Sequence, residues 1–120
     1  MKNNCAKGKI GENLAEEFLI SNGFKILEKN WRYSRQGELD IIAFDKNTLV
    51  FVEVKARSSI SFGYPIEAID KNKMNKIKTL AGIYLSENKE LKFKKIRFDA
   101  VAVILEEKPK INHYKDIYQF

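Results

Sequence analysis

The sequence predicts an α/β (α+β) fold of element order αβββαβ, with a mixed central sheet flanked by helices. Three observations carry that prediction. Two stretches, 10–22 and 66–86, repeat apolar residues at three- and four-residue spacing, as helices that bury one face do. Between them Gly37 to Arg57, GELDIIAFDKNTLVFVEVKAR, reads as two apolar strands joined by a turn at Asp45 to Thr48. The β-rich run 96–105, IRFDAVAVIL, follows the second helix, and a helical crossover brings it in parallel to the third strand. At 120 residues the chain has the length of one ordinary domain, 1–120, and needs no disulfide or structural metal to bury a core.

In the first helix Ile10, Leu14 and Phe18 stand four apart, Ala15 and Leu19 widen the stripe, and Gly23 ends it. Gly8, Gly11 and Ala15 share one side, which allows a close approach to a neighbour. Residues 24–33 form the first strand, and 34–37 a polar turn. Trp31 there either stacks on a base or, in the commoner use of tryptophan, packs at the core edge. On the third strand Val50, Val52 and Val54 share one face, and Phe51, Glu53 and Lys55 the other. Both faces are therefore expected to be covered, as in the middle of a sheet. Residues 58–65, SSISFGYP, form a loop in which Phe62 and Tyr64 face substrate or pin the loop to the core. The second helix buries Ile69, Ile77, Leu80, Ala81 and Tyr84. Lys73 lies inside that stripe, so its head either emerges at an edge or points into an acidic site. Asp99 is expected to pair with Arg97 on its own strand face, and 110–117 to add a short edge strand.

Composition excludes several classes of function. One cysteine, Cys5, permits no internal disulfide, and one histidine, His113, serves zinc clusters and Ser-His-Asp triads poorly. The longest apolar run is six residues, Ala100 to Leu105, so neither a signal peptide nor a membrane span is expected. A cytoplasmic location follows as the expectation. The net charge of +6 is local: Lys71 to Arg97 holds nine basic and two acidic residues, leaving −1 for the rest. A basic block beside an acidic cluster suits a metal-dependent enzyme acting on a polyanion, whereas a solvated helix face is the plainer use of those lysines.

The acidic cluster comes from the hairpin. With Lys46 and Asn47 as a two-residue loop, Asp40 falls opposite Glu53 and Glu38 opposite Lys55, all on one face. Facing carboxylates repel by roughly 0.2–1 kcal/mol, so a positive charge belongs between them. Lys55 is one candidate, and a divalent cation is another. Oxygen ligands without thiolate or imidazole select Mg²⁺ or Mn²⁺ over zinc. Glu12, at the margin of the first helix's stripe, either reaches this site or favours the helix dipole as a first-turn acid.

The order of elements, with Asp40 on the second strand and Glu53-x-Lys55 on the third, resembles the PD-(D/E)XK, or restriction-endonuclease-like, nuclease core. Nearly the whole chain resembles the YraN family of predicted bacterial endonucleases. The matching blocks are Gly11-Glu12 through Ala15, Asn30-Trp31-Arg32, Gly37-Glu38-Leu39-Asp40, Val50 to Arg57, Phe62-Gly63, Lys73 and Arg97-Phe98-Asp99. Leu39 stands where the superfamily name has proline, and the tail Tyr118-Gln119-Phe120 departs from the family's usual ending. The resemblance implies that Asp40 and Glu53 hold Mg²⁺ or Mn²⁺ and that Lys55 positions or deprotonates the attacking water. It also implies assistance from Glu12 and Lys73.

Lys71, Lys76, Lys78 and Arg57 are the candidate nucleic-acid contacts. The expected function is Mg²⁺-dependent endonucleolytic hydrolysis of DNA, including branched or damaged structures. A non-catalytic nucleic-acid-binding module of the same fold is the alternative. A third reading makes Glu38 and Lys55 a cross-strand ion pair in a protein-binding domain. A homodimer is compatible with all three.

Overall fold

The computed structural model describes residues 4–59, 66 and 69–118, with side chains from residue 8 onward. The loop expected at 58–65 lies outside the described residues from 60 on, with Phe62, Gly63, Tyr64 and Pro65; so do the Cys5 side chain, Gln119 and Phe120. The elements are α1 (Asn4–Ser21), β1 (Lys25–Tyr33), β2 (Gly37–Asp45), β3 (Thr48–Arg57), α2 (Lys71–Glu87), β4 (Lys95–Ile104) and β5 (Lys110–Tyr114). The five strands lie in the order β1-β2-β3-β4-β5, antiparallel except for the β3/β4 pair, which the α2 crossover makes parallel. This mixed sheet with a helix on each face is consistent with a restriction-endonuclease-like core.

Alternation along the strands divides the core in two. Val50, Val52, Val54, Val101 and Val103 pack with Ala15 and Leu19 of α1, while Leu49, Phe51 and Phe98 pack with Met74, Ile77, Leu80 and Tyr84 of α2. Each such fully buried side chain contributes about 1.5–3 kcal/mol. On the α2 side Phe51 stacks on Phe98 at 5.5 Å and meets Tyr84 edge-on at 6.1 Å. Trp31 also packs edge-on against Tyr84, at 5.2 Å, which is the core-edge use of that tryptophan.

Both helices differ from their expected outlines. Ile10 is 43% exposed, and the buried line of α1 runs through Gly11, Ala15 and Leu19 instead. The cause is close approach: a Cβ on Gly11 would come within 2.5 Å of the Ala56 Cβ, so small residues set the packed face. Gly8, expected to share that approach, meets nothing within 4 Å. Helix α2 begins at Lys71 rather than near Ile66, because the Asp70 side chain caps it by accepting from the Lys73 N–H at 2.8 Å. Met74 joins its buried stripe, and Ile69, ahead of the cap, is only partly buried.

Candidate active site

The hairpin register is the expected one, with Ile41 opposite Val52 and Asp45 opposite Thr48, and Lys46 in the left-handed conformation (φ 56°) at the turn. The β2/β3 ladder stops at Ile41 and Val52. Beyond it the Asp40 carboxylate takes the Val54 N–H, 2.8 Å away, in place of a backbone carbonyl. A side chain has replaced a rung, and the strands part around the acidic residues. β3 nevertheless stays paired with β4 along its whole length, so Glu53 and Lys55 project from fixed backbone.

The parting opens a cavity of about 380 Å³ lined by Glu12, Glu38, Asp40, Glu53, Lys55, Lys73 and Lys76, with Gly37 at its wall. Glu53 is 5% exposed. Its Oε1 lies 3.7 Å from the Lys55 Nζ and 3.5 Å from the Lys73 Nζ. Lys73 is thus the inward lysine whose head points at acid. Burial pushes the Glu53 carboxyl up, the Asp40 charge adds to the effect, and the two lysines only partly oppose it; the outcome is about 7. Burial raises Asp40 too, against the Val54 N–H, and the two carboxyls hydrogen-bond each other. They therefore behave as a pair sharing a proton near neutrality. Glu12 is raised as well, by burial first and then by the charges of Asp40 and Glu38. It stands in the interior of α1, which starts at Asn4, so the first-turn dipole role does not apply.

Other expected contacts are rearranged. Glu38 pairs with Arg32 of the adjacent strand at 3.1 Å, and Lys55 with Glu53, in place of the Glu38–Lys55 ion pair of the third reading. The reason is reach: Arg32 sits directly opposite Glu38 in the β1/β2 register, whereas β3 has already diverged. Lys76 lines the cavity and lies over Gly37, where a Cβ would meet its Cε at 2.9 Å. Lys78 donates to the Tyr118 hydroxyl at 3.2 Å and lies over that ring. Lys71 is exposed at the start of α2, and Arg57 is exposed and donates to the Ala56 carbonyl at 2.9 Å. Of the four candidate phosphate contacts, Lys76 alone lines the cavity.

Asp40 and Glu53 present an all-oxygen donor set with no sulfur or imidazole beside it. Among the described residues no three His, Cys, Asp or Glu side chains converge into a metal cage. Two carboxylates fit Mg²⁺ or Mn²⁺, which are commonly held by one or two carboxylates with water and substrate phosphate completing the shell.

The profile of the Uncharacterised protein family UPF0102 matches residues 11–103. The chain belongs to this family. UPF0102 proteins of Dictyoglomus turgidum and Clostridioides difficile are 46% and 47% identical to it, over 94% of both chains in the first case and 97% of this chain and 99% of the relative in the second. A UPF0102 protein of Acetivibrio thermocellus is 50% identical over 88% of this chain and 81% of its own. Glu12, Asp40, Glu53, Lys55 and Lys73 all fall within the span of the UPF0102 profile.

Two features of the site were not reached from sequence. Asn30 adopts a left-handed backbone (φ 53°) and lines, with Glu12, a cavity beside the first. Its signal was an Asn within an otherwise β-forming run. The other is the approach of Lys76 to Gly37, for which the glycine ending the 34–37 turn was the only local sign.

Proposed function

We propose that this UPF0102 protein is a divalent-cation-dependent phosphodiesterase acting on nucleic acid, DNA in the first instance, with the YraN-type PD-(D/E)XK arrangement. The observation that carries this reading is the Asp40–Glu53 pair, Glu53 buried and Asp40 half-buried, with both carboxyls raised at the point where β2 and β3 separate and two lysines on Glu53. A fold does not need such a pair, because burying two carboxylates together opposes stability.

Asp40 and Glu53 would hold Mg²⁺ or Mn²⁺. The bound ion supplies Lewis-acid polarisation of phosphate and a lowered pKa for water. Val54, through its N–H, fixes the Asp40 carboxylate for that task. Lys73 favours the ionised form of Glu53 from the α2 side. The Lys55 Nζ, carried on the same strand two residues along, orients the attacking water and donates to the phosphate oxygens as charge builds on them. Lys76 at the cavity wall holds a flanking phosphate.

The test is incubation with duplex, single-stranded, flap and four-way-junction DNA in Mg²⁺ or Mn²⁺. Wild type should cut at least one of them, and Lys55→Ala should cut it roughly 10²-fold more slowly with little change in binding. If no structure is cut with either ion, the protein is instead a nucleic-acid-binding module of the same fold. The two lysines already on Glu53, which neutralise it in part without an ion, favour that second reading.

A further inference from the structure

Asn30 of β1 is one of four non-glycine residues with positive φ among the described residues, and it stands next to the candidate site rather than in a turn. In the β1/β2 ladder Lys29 pairs with Ile41 and Trp31 with Leu39, and the Asn30/Asp40 position between them is skipped. The skip reverses the strand. Ile41 belongs to the α1 side of the core, whereas Leu39, two residues away and of the same parity, packs with α2. Regular alternation would put both on one face. The half-turn falls at Asp40, where the β2/β3 ladder also ends. The Asn30 side chain meanwhile lines a second cavity of about 350 Å³ together with Glu12, which also lines the 380 Å³ one, and its amide opposes the rise of the Glu12 carboxyl.

We infer that Asn30 is a positioning residue with two linked tasks: its left-handed backbone turns β2 so that Asp40 leaves the ladder for the Val54 N–H, and its side-chain amide holds the Glu12 carboxylate over the pocket. Asn suits both tasks. It tolerates the left-handed conformation better than other side chains with a Cβ, and its Nδ2 donates to a carboxylate. Lys29, the cation that opposes the rise of Glu12, is itself drawn to Glu16 at 2.8 Å and Asn13 at 3.3 Å. The consequence for the site rests on the proposed metal-dependent reading, in which a Glu12 held at the rim would support the ion as an outer-shell carboxylate.

The experiment joins metal-free NMR to Mn²⁺ titration. In the metal-free protein the Asn30 side-chain amide resonances should move in Glu12→Ala; unmoved resonances overturn the hydrogen-bond task. The Val54 backbone amide should stay in place in Asn30→Gly, which keeps the left-handed backbone. It should shift in Asn30→Val, or in Asn30→Ala if the valine variant does not fold; an unmoved Val54 amide in the folded variant overturns the backbone task. In the titration Asn30→Gly should weaken Mn²⁺ binding roughly tenfold. Glu12→Ala should do the same, and the double variant no more than either. Unchanged Mn²⁺ affinity in Asn30→Gly, with or without a lower melting temperature, leaves a structural role only and overturns the proposal. If wild type binds no Mn²⁺ at all, the metal-dependent reading fails instead, and the NMR comparisons alone decide whether Asn30 positions Glu12 and Asp40.

Discussion

Two carboxylate centres sit on this sheet, and they are built in opposite ways. Asp99 on β4 is 1% exposed, and burial alone would raise it. His113 at 2.8 Å, the Arg97 guanidinium at 2.8 and 2.9 Å and the Asp116 N–H at 3.0 Å outweigh burial and hold it below the ordinary carboxylate range. Asp40 and Glu53 are also shielded from water, yet their partners are one N–H, two lysines at 3.5 Å or beyond, and each other. Their carboxyls rise instead. The first centre is complete within the chain and acts as a structural clasp between β4, β5 and the segment after it. The second is only loosely paired and faces a cavity, which is where an external cation or polyanion has something to complete.

The largest expected effect breaks the clasp. Asp99→Ala removes the acceptor shared by His113 and the Asp116 N–H and leaves Arg97 only Asp45, and should cost about 3 kcal/mol or more, a fall in melting temperature of roughly 10 °C. Asp40→Asn in metal-free protein should cost far less. Equal losses in two melting curves would remove the distinction between the centres.

A smaller effect concerns pH. The Glu53 carboxyl is raised from 4.5 to about 7, so the folded state binds more protons than the unfolded one across that interval. Stability of the metal-free protein should therefore fall as pH rises through it, by an amount of order 1–3 kcal/mol, and Glu53→Gln should flatten the slope. Asp99 carries the opposite sign: its contribution is complete above the unfolded carboxylate pKa and is lost only as pH falls toward its lowered value. Denaturant titrations at pH 5, 6, 7 and 8 check the sign for Glu53, and further points at pH 4 and 3 check that for Asp99.

The smallest effect separates two lysines of one helix. Lys76→Ala should weaken DNA binding and lower its salt dependence by about one ion. Lys78→Ala should leave that slope nearly unchanged, because Lys78 is engaged with Tyr118. Equal slopes for the two variants would detach Lys76 from the site.

The hairpin was legible in the sequence because its determinants are local. The Asp45-Lys46-Asn47 turn sets the register, and the register alone brings Asp40 toward Glu53. Asp99 with Arg97 was legible for the same reason, two residues apart on one strand face. His113 as its third partner was not, since it arrives from β5, 14 residues on. The face of Leu39 was hidden because alternation assumes regular strands, and the left-handed Asn30 lies on the neighbouring strand, not on β2. Ile10 misled because hydrophobicity marks what can be buried, whereas contact between Gly11 and Ala56 decided which face was. The partner of Glu38 turned on the divergence of β2 from β3, a property of the pair that neither strand's sequence states.

Whether the Asp40–Glu53 centre takes a divalent cation is tested most directly by thermal melting at pH 8, with Glu53 ionised, in saturating Mn²⁺ and in EDTA. Mn²⁺ should raise the wild-type melting temperature by roughly 5–10 °C, and Asp40→Asn should abolish the rise. Equal melting temperatures in Mn²⁺ and EDTA for the folded wild type would contradict a metal-dependent site.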